Sequence, residues 1–144
     1  MLFITKNAEE TRQIGRSVAE MICEGKIHGR FIAMRGEMGV GKTLFTAGFA
    51  SYFGISGVRS PTYTVVNQYG NDVKIYHFDM YRIESEDDLY SIGYEDYISG
   101  DGYIIVEWSE NIEYAIPDDA IFVDIERMPE SDEMRKITVT YNNI

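Results

Sequence analysis

The sequence predicts an α/β fold, a three-layer αβα sandwich on a mixed parallel and antiparallel sheet. Three observations predict it. Apolar runs of strand length alternate with helical patterns in the first half of the chain, and a glycine-rich turn joins one such strand directly to a helix. Later, two pairs of β-rich runs lie close enough in sequence to be antiparallel neighbours. At 144 residues, with 44% hydrophobic and 26% charged side chains, the chain reads as one domain over residues 1–144 with one core.

Residues 2 to 5 are the first short strand. Asn7, with Glu10 three positions later, has the pattern of a helix N-cap, and Ile14, Val18, Met21 and Ile22 follow at helical spacing as far as Gly25. "RFIAMR" (30–35) is a buried strand and "GEMGVGKT" (36–43) the turn after it. Leu44, Phe45, Ala47, Phe49 and Ala50 then continue as a helix closed by Gly54. "TYTVVNQY" and "VKIYHFDMY" are β-rich runs separated by "GND", short enough for a hairpin. "ESEDDLYSIG" is a short acidic helix, "YIIVEW" an apolar strand, and "AIFVDIERM" with "RKITVTY" a closing pair of strands around a charged turn. Cys23 is the only cysteine, which excludes an intrachain disulfide, and on a helical face it reads as packing. The N-terminus reaches a carboxylate pair too early for a secretory segment, and no apolar run approaches the roughly 18 residues that span a membrane. A cytoplasmic protein without membrane contact is expected.

The chemistry centres on the turn. A Gly-x-x-x-x-Gly-Lys-[Ser/Thr] sequence between strand and helix lets the backbone wrap a phosphate with its N–H groups inward, reinforced by the positive end of the helix. Glu37, Met38, Gly39, Val40 and Gly41 would form that wall. Lys42 would meet the β and γ phosphates, and the Thr43 hydroxyl a Mg²⁺ ion. The fold is therefore expected to be P-loop NTPase-like. Such a cradle binds a nucleotide without cleaving it, so acids at strand ends matter: Glu107 ends "YIIVE", and Asp79 follows Phe78. In "SPTYT" (60–64), Thr62 and Thr64 are candidate γ-phosphate sensors. His77 lies one strand period from Asp79 and reads as packed or hydrogen-bonded, His28 has no evident partner, and Arg82 reads as an aid to transition-state charge or a partner contact, or at least equally as a surface ion pair with Glu84 or Asp79.

"GEMGVGKT", "SPTYTVV", "YHFDMYRI", "LYSIGYEDY" and "IIVEWSE", in this order and spacing, closely resemble the TsaE family, from the first helix to the last strands. That resemblance implies a small bacterial P-loop ATPase, weak alone, acting with two partner proteins of the TsaB and TsaD type. The product of that machinery is N6-threonylcarbamoyladenosine at position 37 of tRNA, with ATP hydrolysis resetting the partners between rounds. It implies ATP with Mg²⁺ held by Thr43 and Glu107, Lys42 on the phosphates, Asp79 in the catalytic centre, and Trp108 beside it. Met38, Val40 and Ser109 stand where the family often has other residues, without loss of a polar group.

A net charge of −11, with 13 scattered basic residues, argues against a nucleic-acid surface of its own, DNA included. tRNA would be held mainly by the partners. Eleven tyrosines suit a protein interface, and the stretch from Tyr76 to Tyr97 is the place to look. A small-metabolite kinase would need an arginine-bearing lid that the sequence does not suggest, whereas a non-hydrolysing nucleotide switch would differ only in turnover. No Asn-Lys-x-Asp segment speaks for guanine.

Overall fold

The computed structural model describes residues 1–142. Its elements are β1 (Leu2–Thr5), α1 (Ala8–Cys23), β2 (Phe31–Arg35), α2 (Lys42–Ser51), β3 (Val66–Tyr69), β4 (Ile75–Asp79), α3 (Glu86–Ser91), α4 (Tyr94–Ile98), β5 (Tyr103–Glu107), a 3₁₀ segment (Ser109–Ala115), β6 (Ile121–Met128) and β7 (Ser131–Thr140). The strands form one sheet in the order β1-β7-β6-β2-β5-β4-β3. β6, β2, β5 and β4 are parallel to their neighbours in that run, while β1, β7 and β3 pair antiparallel at the flanks. The sheet is mixed, as expected.

Strand alternation builds the layers. On one face Ile32 and Met34 of β2 pack with Val18 of α1 and with Phe45 and Phe49 of α2. On the other, Phe31 and Ala33 pack with Leu89 of α3, Tyr94 of α4 and Ile112 of the 3₁₀ segment. Successive residues of one strand thus feed two cores, which is why β2 reads as an unbroken apolar run. α1 starts where Asn7 Oδ1 accepts from the Glu10 N–H at 2.9 Å, and Glu10 Oε1 accepts from Lys6 N–H at 3.1 Å. One orphan donor of the helix, and the Lys6 N–H just ahead of its cap, are thereby satisfied.

α1 and α2 meet backbone to backbone. A Cβ on Gly15 would stand 2.0 Å from the Phe45 carbonyl oxygen, and one on Gly48 would stand 1.8 Å from that of Arg12. Both glycines are needed for contact, and the contact fixes how α2 presents its first turn.

The structure corrects four local readings. β3 begins at Val66, because Val65 takes a left-handed φ of 70° and its N–H bonds the Pro61 carbonyl at 2.7 Å, so that 62–65 form a turn. α4, after Gly93, and the 3₁₀ segment, after Trp108, follow residues with positive φ (75° and 58°) that restart the chain in a new direction. β7 begins at Ser131, four residues ahead of the expected run. Cys23 is exposed at the end of α1, its sulfur 4.0 Å from the Tyr103 hydroxyl, and does not pack in the core.

Gly48→Ala should therefore lower the unfolding free energy by about 2–3 kcal/mol, since backbone rather than a pliable side chain opposes the added methyl. Urea unfolding checks this; a loss below about 0.5 kcal/mol would show that the helices separate freely.

Candidate active site

The carboxyl ends of the parallel strands open on one side of the sheet, where ligands of open α/β sheets bind. β2 turns at Gly36, whose φ is 152° and whose added Cβ would fall 2.6 Å from the Ile125 carbonyl oxygen. Only glycine lets the chain turn against β6 here. Lys42 Nζ folds back to donate to the Gly36 carbonyl at 2.6 Å, closing the turn on its own lysine.

Two arginines grip the turn from outside. Arg127 Nη2 donates to the Met38 carbonyl at 2.7 Å, and Arg135 Nε to the Val40 carbonyl at 2.8 Å. In a trans peptide the next N–H points opposite to the carbonyl, so these bonds turn the Gly39 and Gly41 N–H groups toward the other side. Gly39 and Gly41 line a cavity of about 330 Å³ there, together with Lys42, Thr43, Thr62, Asp79, Glu107 and Trp108. Two larger hollows, one of about 480 Å³ beside Arg30 and Asp101 and one of about 640 Å³ against the turn at Gly36, Glu37, Val40 and Trp108, are not lined by Lys42, Thr43, Asp79 or Glu107.

Inside the cavity the charges are buried. Lys42 is 4% exposed, Glu107 5% and Asp79 6%. Burial pushes the Lys42 amine below its usual pKa, with the carboxylates of Glu107, Glu110 and Asp79 pulling the other way. The Trp108 ring centroid lies 4.1 Å from Nζ, so a π face covers the ammonium. Glu107 and Asp79 are register partners across β5 and β4. Glu107 Oε2 accepts from the Thr43 hydroxyl at 3.1 Å and lies 2.5 Å from His77 Nε2. Asp79 Oδ1 accepts from the Tyr81 N–H at 2.9 Å. The Trp108 turn is pinned beyond the ring, where Ser109 Oγ donates to the Met34 carbonyl at 3.1 Å and Asn111 Nδ2 to that of Met80 at 2.9 Å.

Lys42, Thr43, Asp79, Glu107, Thr62, Gly39, Gly41 and Met38 thus meet at one cavity. Glu37 and Val40 belong to the turn but not to the lining: Glu37 stands 3.7 Å from Arg127, and the Val40 side chain packs in the core. Of the two candidate sensors only Thr62 reaches the cavity, because the Thr64 hydroxyl donates to Asn67 Oδ1 at 2.6 Å. His77 is fully buried and hydrogen-bonded, as its packed reading requires, and His28 is exposed. Arg82 forms no ion pair among the described residues; its guanidinium lies 5.9 Å from the Tyr63 ring. Arg127 and Arg135 carried no signal in the sequence.

Among the described residues no cluster of three or more His, Cys, Asp and Glu side chains could hold a metal. The Thr43 hydroxyl and Glu107 carboxylate are nevertheless a pair of adjoining hard oxygens. Mg²⁺ takes few protein oxygens and completes its shell with water and phosphate, so this pair fits it.

A phosphate-type turn between a central parallel strand and a helix, with its lysine and threonine facing two strand-end carboxylates, makes this a P-loop NTPase-like α/β protein. The chain matches the family model described as "Threonylcarbamoyl adenosine biosynthesis protein TsaE" over residues 5–137, and it belongs to the TsaE family. The tRNA threonylcarbamoyladenosine biosynthesis protein TsaE of Bacillus subtilis (strain 168) is 37% identical over 138 residues, covering 94% of this chain and 82% of that protein. Its namesake from Haemophilus influenzae is 34% identical, covering 89% and 83%. The crystal structure of Bacillus subtilis YdiB matches with a TM-score of 0.77 at 30% identity, over 99% of this chain and 86% of that one.

Removing the outer grip should disorder the cradle. Arg135→Ala is expected to weaken nucleoside triphosphate binding about tenfold, near the 1.5 kcal/mol of a charge-assisted hydrogen bond. Equilibrium binding reads this directly, and an unchanged affinity would show that the turn keeps its shape unaided.

Proposed function

We propose that this chain binds ATP with Mg²⁺ in the cradle and hydrolyses it as the nucleotide-driven subunit of the cytoplasmic machinery that makes N6-threonylcarbamoyladenosine at position 37 of tRNA. Its partners are two proteins of the TsaB and TsaD type, and hydrolysis resets them between rounds. The observation that carries the reading is the convergence of Lys42, Thr43, Asp79 and Glu107 on one cavity at the N-terminus of α2. The names of the relatives supply the pathway.

Each group has a task set by its surroundings. The Gly39 and Gly41 N–H groups and the start of α2 receive phosphate oxygens. Lys42 exchanges the Gly36 carbonyl for the β and γ phosphates, while Trp108 keeps the ammonium on the cavity side. Thr43 and Glu107 hold Mg²⁺, which supplies charge neutralisation to the phosphates when bound. Asp79 has one oxygen fixed by Tyr81, which leaves the other to orient an attacking water. Thr62 stands where the terminal phosphate would be sensed.

The cavity lining contains one lysine and no arginine. Phosphoryl transfer commonly uses an arginine against the transition-state charge, and one supplied in trans raises turnover by several orders of magnitude. If a partner completes this site, the chain alone should turn over weakly, and the same lack disfavours a kinase. With a net charge of −11, the chain leaves tRNA mainly to its partners.

Steady-state ATP turnover, alone and with both partners, tests the reading. Stimulation of about 100-fold or more is expected; turnover indifferent to the partners would return the kinase and the non-hydrolysing switch to contention. Asp79→Asn should keep ATP affinity and lose turnover by roughly 100-fold or more. Glu107→Ala should raise the Mg²⁺ requirement, and an unaltered requirement would remove Glu107 from the metal site.

A further inference from the structure

His77 has no task in the mechanism above, yet it is fully buried and both ring nitrogens face polar groups. Nε2 lies 2.5 Å from Glu107 Oε2, the same oxygen that accepts from Thr43. Nδ1 lies 3.4 Å from the Tyr69 hydroxyl. That hydroxyl has one proton to share between Nδ1 and the Arg59 carbonyl at 2.9 Å, and it accepts from the Arg59 N–H at 3.0 Å. Asn67 Nδ2 also donates to the Arg59 carbonyl, at 3.2 Å, while its oxygen takes the Thr64 hydroxyl. Arg59 directly precedes the loop that brings Ser60 and Thr62 to the cavity.

A chain of polar contacts therefore runs from Thr43 through Glu107, His77 and Tyr69 to the start of that loop. The loop's other end is tied as well, since the Asp79 N–H donates to the Val65 carbonyl at 2.8 Å. Val65, β-branched with a φ of 70°, is strained where the loop enters β3. On the same strand face Ile75 and the register neighbour Ile105 are aliphatic, so a purely packing residue at 77 would be aliphatic too. A buried imidazole costs free energy unless its polar atoms are matched, and here each match leads to a part of the site.

We propose that His77 is a positioning residue: it fixes the Glu107 carboxylate against Thr43 and, through Tyr69, couples that carboxylate to the 59–64 loop. The inference rests on the reading that Mg²⁺ and ATP bind at Thr43 and Glu107. Partners of metal-ligating side chains commonly shift metal affinity by 10- to 100-fold when removed.

The test uses the full chain, with calorimetric titration of a non-hydrolysable ATP analogue at graded Mg²⁺ and hydrogen exchange of amides 60–65. His77→Gln keeps a polar group at the position of Nε2, and His77→Asn keeps one at Nδ1. The Mg²⁺ needed for half-maximal tightening should rise about tenfold in His77→Asn and stay within about threefold of wild type in His77→Gln. Tyr69→Phe, at a half-buried position outside the cavity, should bind the analogue yet lose the protection of amides 60–65 that binding confers on wild type. Equal impairment of both His77 variants, or none in either, overturns the proposal, as does unchanged protection in Tyr69→Phe. A wild-type chain that does not bind the analogue refutes the ATP reading itself, a result distinct from these.

Discussion

A lysine ammonium buried at the N-terminus of a helix is the arrangement on which this site depends. The helix end already carries partial positive charge, so Lys42 sits where a cation is least stable. Three groups hold it there: the Gly36 carbonyl, the face of Trp108, and the field of Glu107, Asp79 and Glu110. Each is weaker than a phosphate dianion would be, and the lowered pKa of the amine registers the deficit. A phosphate reaching the cradle would relieve that deficit.

The rest of the fold serves that arrangement. Gly15 and Gly48 bring α1 and α2 into backbone contact, which sets where α2 begins. The parallel order of β6, β2, β5 and β4 delivers the turn, Glu107 and Asp79 to one edge. The β6–β7 hairpin contributes Arg127 and Arg135, which hold the carbonyls of the turn outward. The proposed binding of a polyanion by so acidic a chain would rest on inward-facing peptide dipoles and one shielded amine. The outer surface remains acidic, and Tyr63, Tyr81 and Tyr90, at 87%, 51% and 81% exposure, are available to a protein partner.

What the sequence made legible was local. The turn between "RFIAMR" and α2 is read from eight consecutive residues, and Asp79 and Glu107 from acids that end apolar strands. Their pairing across β4 and β5 depends on sheet register, which short-range pattern does not encode. Arg127 and Arg135 act on residues 89 and 95 positions away, and a single arginine in a strand has no spacing to betray it. Residues 62–65 looked like strand because Thr, Tyr and Val favour it, but the left-handed Val65 and its bond to Pro61 override that preference. Trp108 likewise takes a left-handed turn, which periodicity does not reveal. Thr64 went astray for a related reason: a hydroxyl near the right place was taken by Asn67.

Trp108 is the only tryptophan and lies over the Lys42 ammonium, so its emission reports on the cradle without a label. The most direct test of the central claim is to titrate that emission with ATP, with and without Mg²⁺, and then to compete with GTP. ATP bound at the cradle should give a saturable change, tightened by Mg²⁺ and displaced by GTP only at clearly higher concentration. An emission indifferent to ATP, or GTP binding about tenfold more tightly, which is 1.4 kcal/mol in the wrong direction, would contradict it.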